Sequence, residues 1–194
     1  MPVLSCSELN NDDKAQLCKL VRKSLSYSIN KQHYIPSIPP TSEVLNQKKA
    51  SFVTLYTQGG LRGCIGTYIA DTPLFKDVCD HTYSSACEDP RFLPLTQSEL
   101  KTVSFHISIL SELVEMENLG ENHLFTKLNP RIDGLMLKQG GKRAIFLPSV
   151  WEQLTTAKEF VSALKQKGGW QAEYWSPDIE LFKFNVCSIE ADYE

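Results

Sequence analysis

Leu61-Arg62-Gly63-Cys64-Ile65-Gly66-Thr67 is the stretch around which the rest of the chain arranges itself. Just upstream, Phe52, Thr54 and Tyr56 alternate with Val53 and Leu55 in a run of strand-forming residues over 50–57, the pattern of a half-buried strand. Gln58-Gly59-Gly60 supplies a tight turn, so the two runs read as a hairpin. Over 61–68 an extended backbone puts Leu61, Gly63, Ile65 and Thr67 on one face and Arg62, Cys64, Gly66 and Tyr68 on the other. A guanidinium beside a thiol favours the thiolate, which is the nucleophile and the metal ligand. Gly63 and Gly66 remove bulk where another backbone or a ligand comes close. A buried structural cysteine in a strand bent at its glycines would leave the same trace, since free cysteine is among the most buried residue types.

Periodicity organises the chain on either side. Leu17, Leu20, Val21 and Leu25 form a helical stripe over 11–27, with a capping box at Ser5 and Glu8 or a cap at Asn10 or Asn11. The three prolines between Asn30 and Thr41 predict an extended connection, with His33 and Tyr34 either a site rim or an exposed loop pair. Thr72 and Pro73 read as the N-cap and first residue of a helix running to about Ala86. Pro90 stops it, which gathers Glu88, Asp89 and Arg91 at the helix end. These charges read either as an ion pair that fixes the turn or as the rim of the Cys64 site. Val103, Phe105, Ile107 and Ile109 alternate with Ser104, His106 and Ser108 as the clearest strand.

Further on, 134–138 and 142–147 form a second hairpin around Gln139-Gly140-Gly141. A capping box at Thr156 and Glu159 opens a helix that Gly168 closes. One long strand, Ile179 to Ile189, is expected to return the chain end to the main sheet. Hairpins with segregated helices predict an α+β protein with antiparallel sheets.

Composition narrows the function classes. The 194 residues are 42 % hydrophobic and 22 % charged with a net charge of -3, which suits one folded domain and gives no electrostatic reason for nucleic-acid or membrane partners. Six scattered cysteines without a C-x-x-C pair, and no basic n-region before an apolar run at the N-terminus, predict a cytoplasmic protein with reduced thiols. Cys79, His81 and Cys87 invite a zinc reading, but Cys79 and His81 point different ways on a helix, and no metal is expected. No phosphate loop, serine elbow or paired-carboxylate arrangement occurs, and no cofactor is indicated.

Leu61 to Thr67 also resembles the signature of the AMME-chromosomal-region domain family, whose prokaryotic members are called AmmeMemoRadiSam system protein A. Asp89-Pro90-Arg91-Phe92 with Pro94-Leu95, Asp133-Gly134-Leu135 and Leu147-Pro148-Ser149-Val150 agree in order and spacing. Phe52 to Leu55 and Lys167-Gly168-Gly169-Trp170 agree too, so the resemblance covers nearly the whole of 1–194 as a single domain. It implies two lobes, the larger built from both termini, with the signature lining a cleft between them. It also implies partners, because prokaryotic relatives are encoded beside a Memo-like protein and a radical SAM protein.

Cys64 is the one plausible nucleophile, with Arg62 its activator and His106 or His81 as alternative bases. Gly63 and Gly66 amides, Asp89 and Arg91 are the expected substrate-binding groups. The expected activity is thiol-dependent, on a small molecule or a modified nucleotide. The competing expectation is a non-catalytic binding module or adaptor.

Overall fold

The structure, a computed structural model, describes residues 9–194. The expected capping box at Ser5 and Glu8 lies outside the described residues. Helix α1 (Asn11–Ser28) is capped by Asn10, whose side chain accepts from Asp13 N at 2.9 Å while the Asp13 carboxylate accepts from Asn10 N. Its buried face carries Leu17, Val21 and Leu25, each stabilising the fold by about 2 kcal/mol through removal of apolar surface from water. A short helix α2 (Glu43–Asn46) precedes the signature hairpin, β1 (Ser51–Thr57) and β2 (Gly60–Gly66). The turn takes positive φ at Gln58 and Gly59, 52° and 76°, the geometry that matches the twist of paired strands.

Helix α3 (Leu74–Cys87), one-turn α4 (Gln97–Leu100) and strand β3 (Val103–Leu110) follow. The expected Thr72 cap is corrected here. Pro73 is the N-cap residue and no side chain caps α3. Pro73 is drawn into a β-bridge with Lys48, Leu74 N donates to Gln47 O, and the Thr72 hydroxyl reaches Asp77 instead.

Strand β4 (Val114–Met116), helix α5 (Glu121–Lys127), hairpin strands β5 (Gly134–Gln139) and β6 (Lys142–Phe146), and helix α6 (Ala157–Lys167) come next. Strands β7 (Glu180–Phe184) and β8 (Val186–Asp192) close the chain. Here the single long strand expected over 179–189 is corrected. Its two halves belong to different sheets, ordered β2-β1-β3-β8 and β4-β7-β5-β6. The break is Asn185. Its amide donates to Ser111 Oγ, its carbonyl accepts from Ser111 N, and its side chain donates to Ile132 O and Asp133 Oδ1.

The chain is an α+β protein of two compact units. The larger holds the described residues through Leu110 with Cys187–Glu194, and the smaller holds Ser111–Val186. In the larger, Val53, Leu55, Phe105 and Ile107 form one core with the apolar faces of α1 and α3. In the smaller, Leu135, Leu137 and Leu181 pack with Leu124 of α5 and Phe160, Val161 and Leu164 of α6. Trp151 stacks on Phe160 at 3.9 Å and donates to Asp133 O. Asp133 is itself buried, accepting from Asn129 N and Asn129 Nδ2.

The thiols depart from expectation. Cys18, Cys64, Cys79 and Cys87 are free, but Cys187 is disulfide-bonded. Wide spacing in sequence says nothing of proximity in the fold, so the bond left no trace in the chain pattern. Among the described residues, no helix is long and apolar enough to cross a membrane.

Candidate functional site

Strand β2 is the outer strand of its sheet, and β1 pairs with it antiparallel: Thr54 lies opposite Cys64, Leu55 opposite Gly63 and Val53 opposite Ile65. An outer strand presents every second residue's N–H and C=O away from the sheet, where they need other partners. At Cys64 both find one. Its N–H donates to Asp89 Oδ2 at 2.8 Å, and its carbonyl accepts from Arg91 Nη2 at 3.4 Å. Asp89 and Arg91 are joined by three further bonds, Arg91 Nε to Oδ1 at 2.9 Å, Nη2 to Oδ2 at 2.7 Å and the Arg91 amide to Oδ1 at 3.1 Å. The segment after α3 thus returns to the sheet edge and closes it with an ion pair where another strand would lie.

Burial of this pair is uneven. The Asp89 side chain is 2 % exposed and that of Arg91 54 %. The Arg91 guanidinium, ahead of the amides of Cys64 and Arg91, holds the Asp89 carboxyl well below the usual carboxylate range despite its burial. Arg91 is raised in return, chiefly by Asp89.

The Cys64 side chain, half-buried, accepts a hydrogen bond from Thr54 Oγ1 at 3.2 Å. Thr54 also lies opposite His106 on β3, so Cys64, Thr54 and His106 form one row across the sheet. His106 Nδ1 is 3.6 Å from Glu190 Oε1 of β8, and its ring is 4.8 Å from that of Tyr56. Two strand spacings separate His106 from Cys64, about 9–10 Å, beyond direct proton transfer. His81 is engaged elsewhere, with Nδ1 3.2 Å from the buried Asp77 carboxylate.

Arg62 sits at a β-bulge, where the register shifts between Leu55 and Tyr56. Its Nε and Nη2 hold Glu99 of α4 at 2.7 and 3.2 Å. Glu99 also completes the α4 capping box with Thr96, and Arg62 foremost lowers its pKa to about 2. Arg62 and Arg91 flank the Phe92 ring, with guanidinium carbons 5.8 and 5.5 Å from its centroid. Among the described residues the buried Nη1 of Arg62 has no hydrogen-bond partner.

The two glycines serve close contacts. A Cβ on Gly63 would lie 2.1 Å from the Ser85 carbonyl oxygen of α3, and one on Gly66 2.3 Å from the Phe52 ring. Ser85 Oγ also accepts from Ile65 N and donates to Val53 O, bridging β1 and β2. The register turns the Gly63 amide toward β1 and that of Gly66 outward, like that of Cys64.

The structure therefore brings Cys64, Gly66, Asp89 and Arg91 to one sheet edge. It directs Arg62 to Glu99 and keeps both expected histidine bases away from Cys64. Sequence reasoning missed Thr54 and Glu99. The strand register supplies the signal for the first; for the second, Thr96 and Glu99 stand at capping-box spacing in the chain, a spacing that does not name Arg62 as the partner. Among the described residues no group of three histidine, cysteine or acidic side chains is arranged to hold a metal ion.

Comparison with known proteins finds chains similar to this one in sequence and in fold. The family model described as AMMECR1 matches residues 18–189. A protein of Thermotoga maritima is 34 % identical over 152 residues, covering 77 % of this chain and 81 % of the relative. Protein MJ0810 of Methanocaldococcus jannaschii is 31 % identical over 175 residues, covering 85 % and 83 %. The crystal structure of the uncharacterized protein PH0010 from Pyrococcus horikoshii superposes with a TM-score of 0.88 at 25 % identity, covering 96 % of this chain and 95 % of that one.

Proposed function

This chain belongs to the AMMECR1 family, and from its own geometry we propose that it is a thiol-dependent enzyme acting on a small molecule or modified nucleotide, with Cys64 as nucleophile. The observation that carries the reading is the treatment of Cys64 compared with the other free thiols. Burial raises the Cys18 and Cys87 thiols and pushes Cys79 up to about 11, the direction that disfavours the reactive thiolate. Cys64 instead stands half-buried on a rigid strand, accepts a hydroxyl hydrogen bond and is clamped through its own backbone by Asp89 and Arg91. The hydroxyl contact and the backbone clamp fix the sulfur in place, and fixed geometry favours attack.

The roles divide accordingly. Thr54 steadies the sulfur. Arg62, anchored by Glu99, and Arg91, anchored by Asp89, place positive charge on either side of Phe92. Arg91 is the more exposed and is the one to meet an anionic group of the substrate. The outward Gly66 amide is the donor for charge that develops on an attacked oxygen.

Alkylation with iodoacetamide at neutral pH, followed residue by residue by mass spectrometry, tests this. Cys64 should react before Cys87, and Thr54→Val and Arg62→Ala should each slow it. Incubation with a small-molecule extract should then leave a covalent mass on Cys64 that Cys64→Ser abolishes. Equal reactivity of Cys64 and Cys87 would remove the nucleophile.

A second reading, a non-catalytic module working with Memo-like and radical SAM proteins, draws on Leu61 and Leu93, 42 % and 83 % exposed in and near the same edge. Exposed leucines beside a charged pair suit a protein contact. Capture of both partners by Cys64→Ser as well as by wild type, with an inert thiol, would favour it.

A further inference from the structure

In the larger unit, well away along the chain from the signature hairpin, a cavity of about 290 Å³ opens between α1 and the proline-rich segment that follows it. Lys19, Leu20 and Lys23 wall it on the helix side; Lys23 follows the other two by four and three residues and so shares their helical face. Tyr34, Pro36, Ile38 and Pro40 wall the other side. Every second residue of the segment faces in, as in an extended chain laid along a helix.

We propose that this groove binds a small amphipathic carboxylate. Its apolar body lies along Leu20, Ile38 and the two prolines, and its carboxylate sits at Lys19 and Lys23.

Charge, placement and size each support that occupant. Both charged residues in the lining are lysines, in a chain whose net charge is -3. The Lys23 ammonium is held 4.7 Å over the Tyr34 ring, which packs 5.0 Å from the Tyr27 ring, so one cation is positioned before any ligand arrives. Ile38 is 81 % exposed at the groove, a large apolar side chain left in water that a ligand would cover. Proline fixes the backbone of the outer wall in advance, which lowers the ordering cost of binding. The volume stands at the small end of the roughly 300–1,000 Å³ typical of small-molecule sites. It is too small to seat the 10–12 Å cylinder of a partner helix.

Titration calorimetry of the full chain with sodium decanoate, kept below its micellar range, tests the proposal. Saturable one-to-one binding is expected. Lys19→Gln with Lys23→Gln should weaken it roughly tenfold, the effect of losing charge-assisted contacts at a wet site. Ile38→Ser should weaken it as well. Cys64→Ser should bind as wild type does, so the groove stands or falls apart from the thiol reading. All these positions but Cys64 are on the surface, and an unchanged Tm certifies the fold of each variant.

Three results would overturn the proposal. One is no saturation with decanoate. Another is equal affinity for decylamine or for the lysine double variant. The third is association with phosphatidylglycerol vesicles without affinity for free decanoate, which would make the face a lipid-surface contact.

Discussion

Gly63 leaves no room for a side chain, because the Ser85 carbonyl of α3 occupies the place a Cβ would take. The obstacle is backbone, which cannot swing aside as a flexible side chain would. Gly63→Ala should therefore destabilise the protein by about 2–3 kcal/mol, read as a lower urea midpoint with an unchanged slope. The presence of two glycines beside Cys64 is legible in the chain, and so is their meaning as points of close approach. What approaches is not, since Ser85 and Phe52 reach them only through the packing of α3 and the pairing of β1. The same limit holds for Arg62. Alternation placed it on the Cys64 face, but its bond is made to a carboxylate 37 residues away, and no local pattern records that.

Among the elements, α4 is one turn long and yet carries a titration. Glu99 has its pKa lowered from 4.5 to about 2, foremost by Arg62. A carboxylate depressed in the folded state contributes stability above its unfolded pKa and loses it as pH falls through the folded one. Wild type should thus lose stability between pH 4.5 and about 2, and Glu99→Gln should show a flatter profile across that window in urea melts. Helix α6 carries a second charged device. Its Lys165 side chain is 1 % exposed and paired with Glu121 of α5, with the ammonium 5.8 Å from the Trp175 ring. Glu121→Ala leaves that ammonium buried and unpaired and should cost about 3–5 kcal/mol, while Lys165→Met should be nearly neutral; thermal melts of the two variants separate these outcomes. Strands with clean alternation, β1 and β3, were legible in full. The 179–189 run failed for the same reason those succeeded. Its period of two continues through Asn185, and only that residue's bonds to Ser111 and Asp133 mark the change of sheet.

Across the whole molecule, the three tryptophans fall in one place. Trp151, Trp170 and Trp175 all belong to the smaller unit, so indole fluorescence reports that unit while far-ultraviolet dichroism reports both. Removing 187–194 takes from the larger unit a strand that buries Cys187 and Ile189 and whose end meets Arg22 of α1. The truncated chain should lose about 5 kcal/mol or more in the dichroism transition and keep the fluorescence transition near its wild-type midpoint. A common shift of both signals would show that the units unfold together. That both ends of the described chain contribute to the larger unit agrees with the resemblance, and the strand pattern near the end of the chain had already pointed back to the main sheet, although its first half proved to belong to the other one.

The discontinuity has a consequence during synthesis. The smaller unit is contiguous, so its sequence is complete before residues 187–194 are made. The larger unit has α1, α3 and three of its strands in hand early, but the outer side of β3 stays unpaired until β8 is translated. At cellular elongation rates that interval lasts roughly 4–15 s. Throughout it the nascent chain displays an open strand edge, the surface on which misassembly begins, until residues 186–192 are made and cover it.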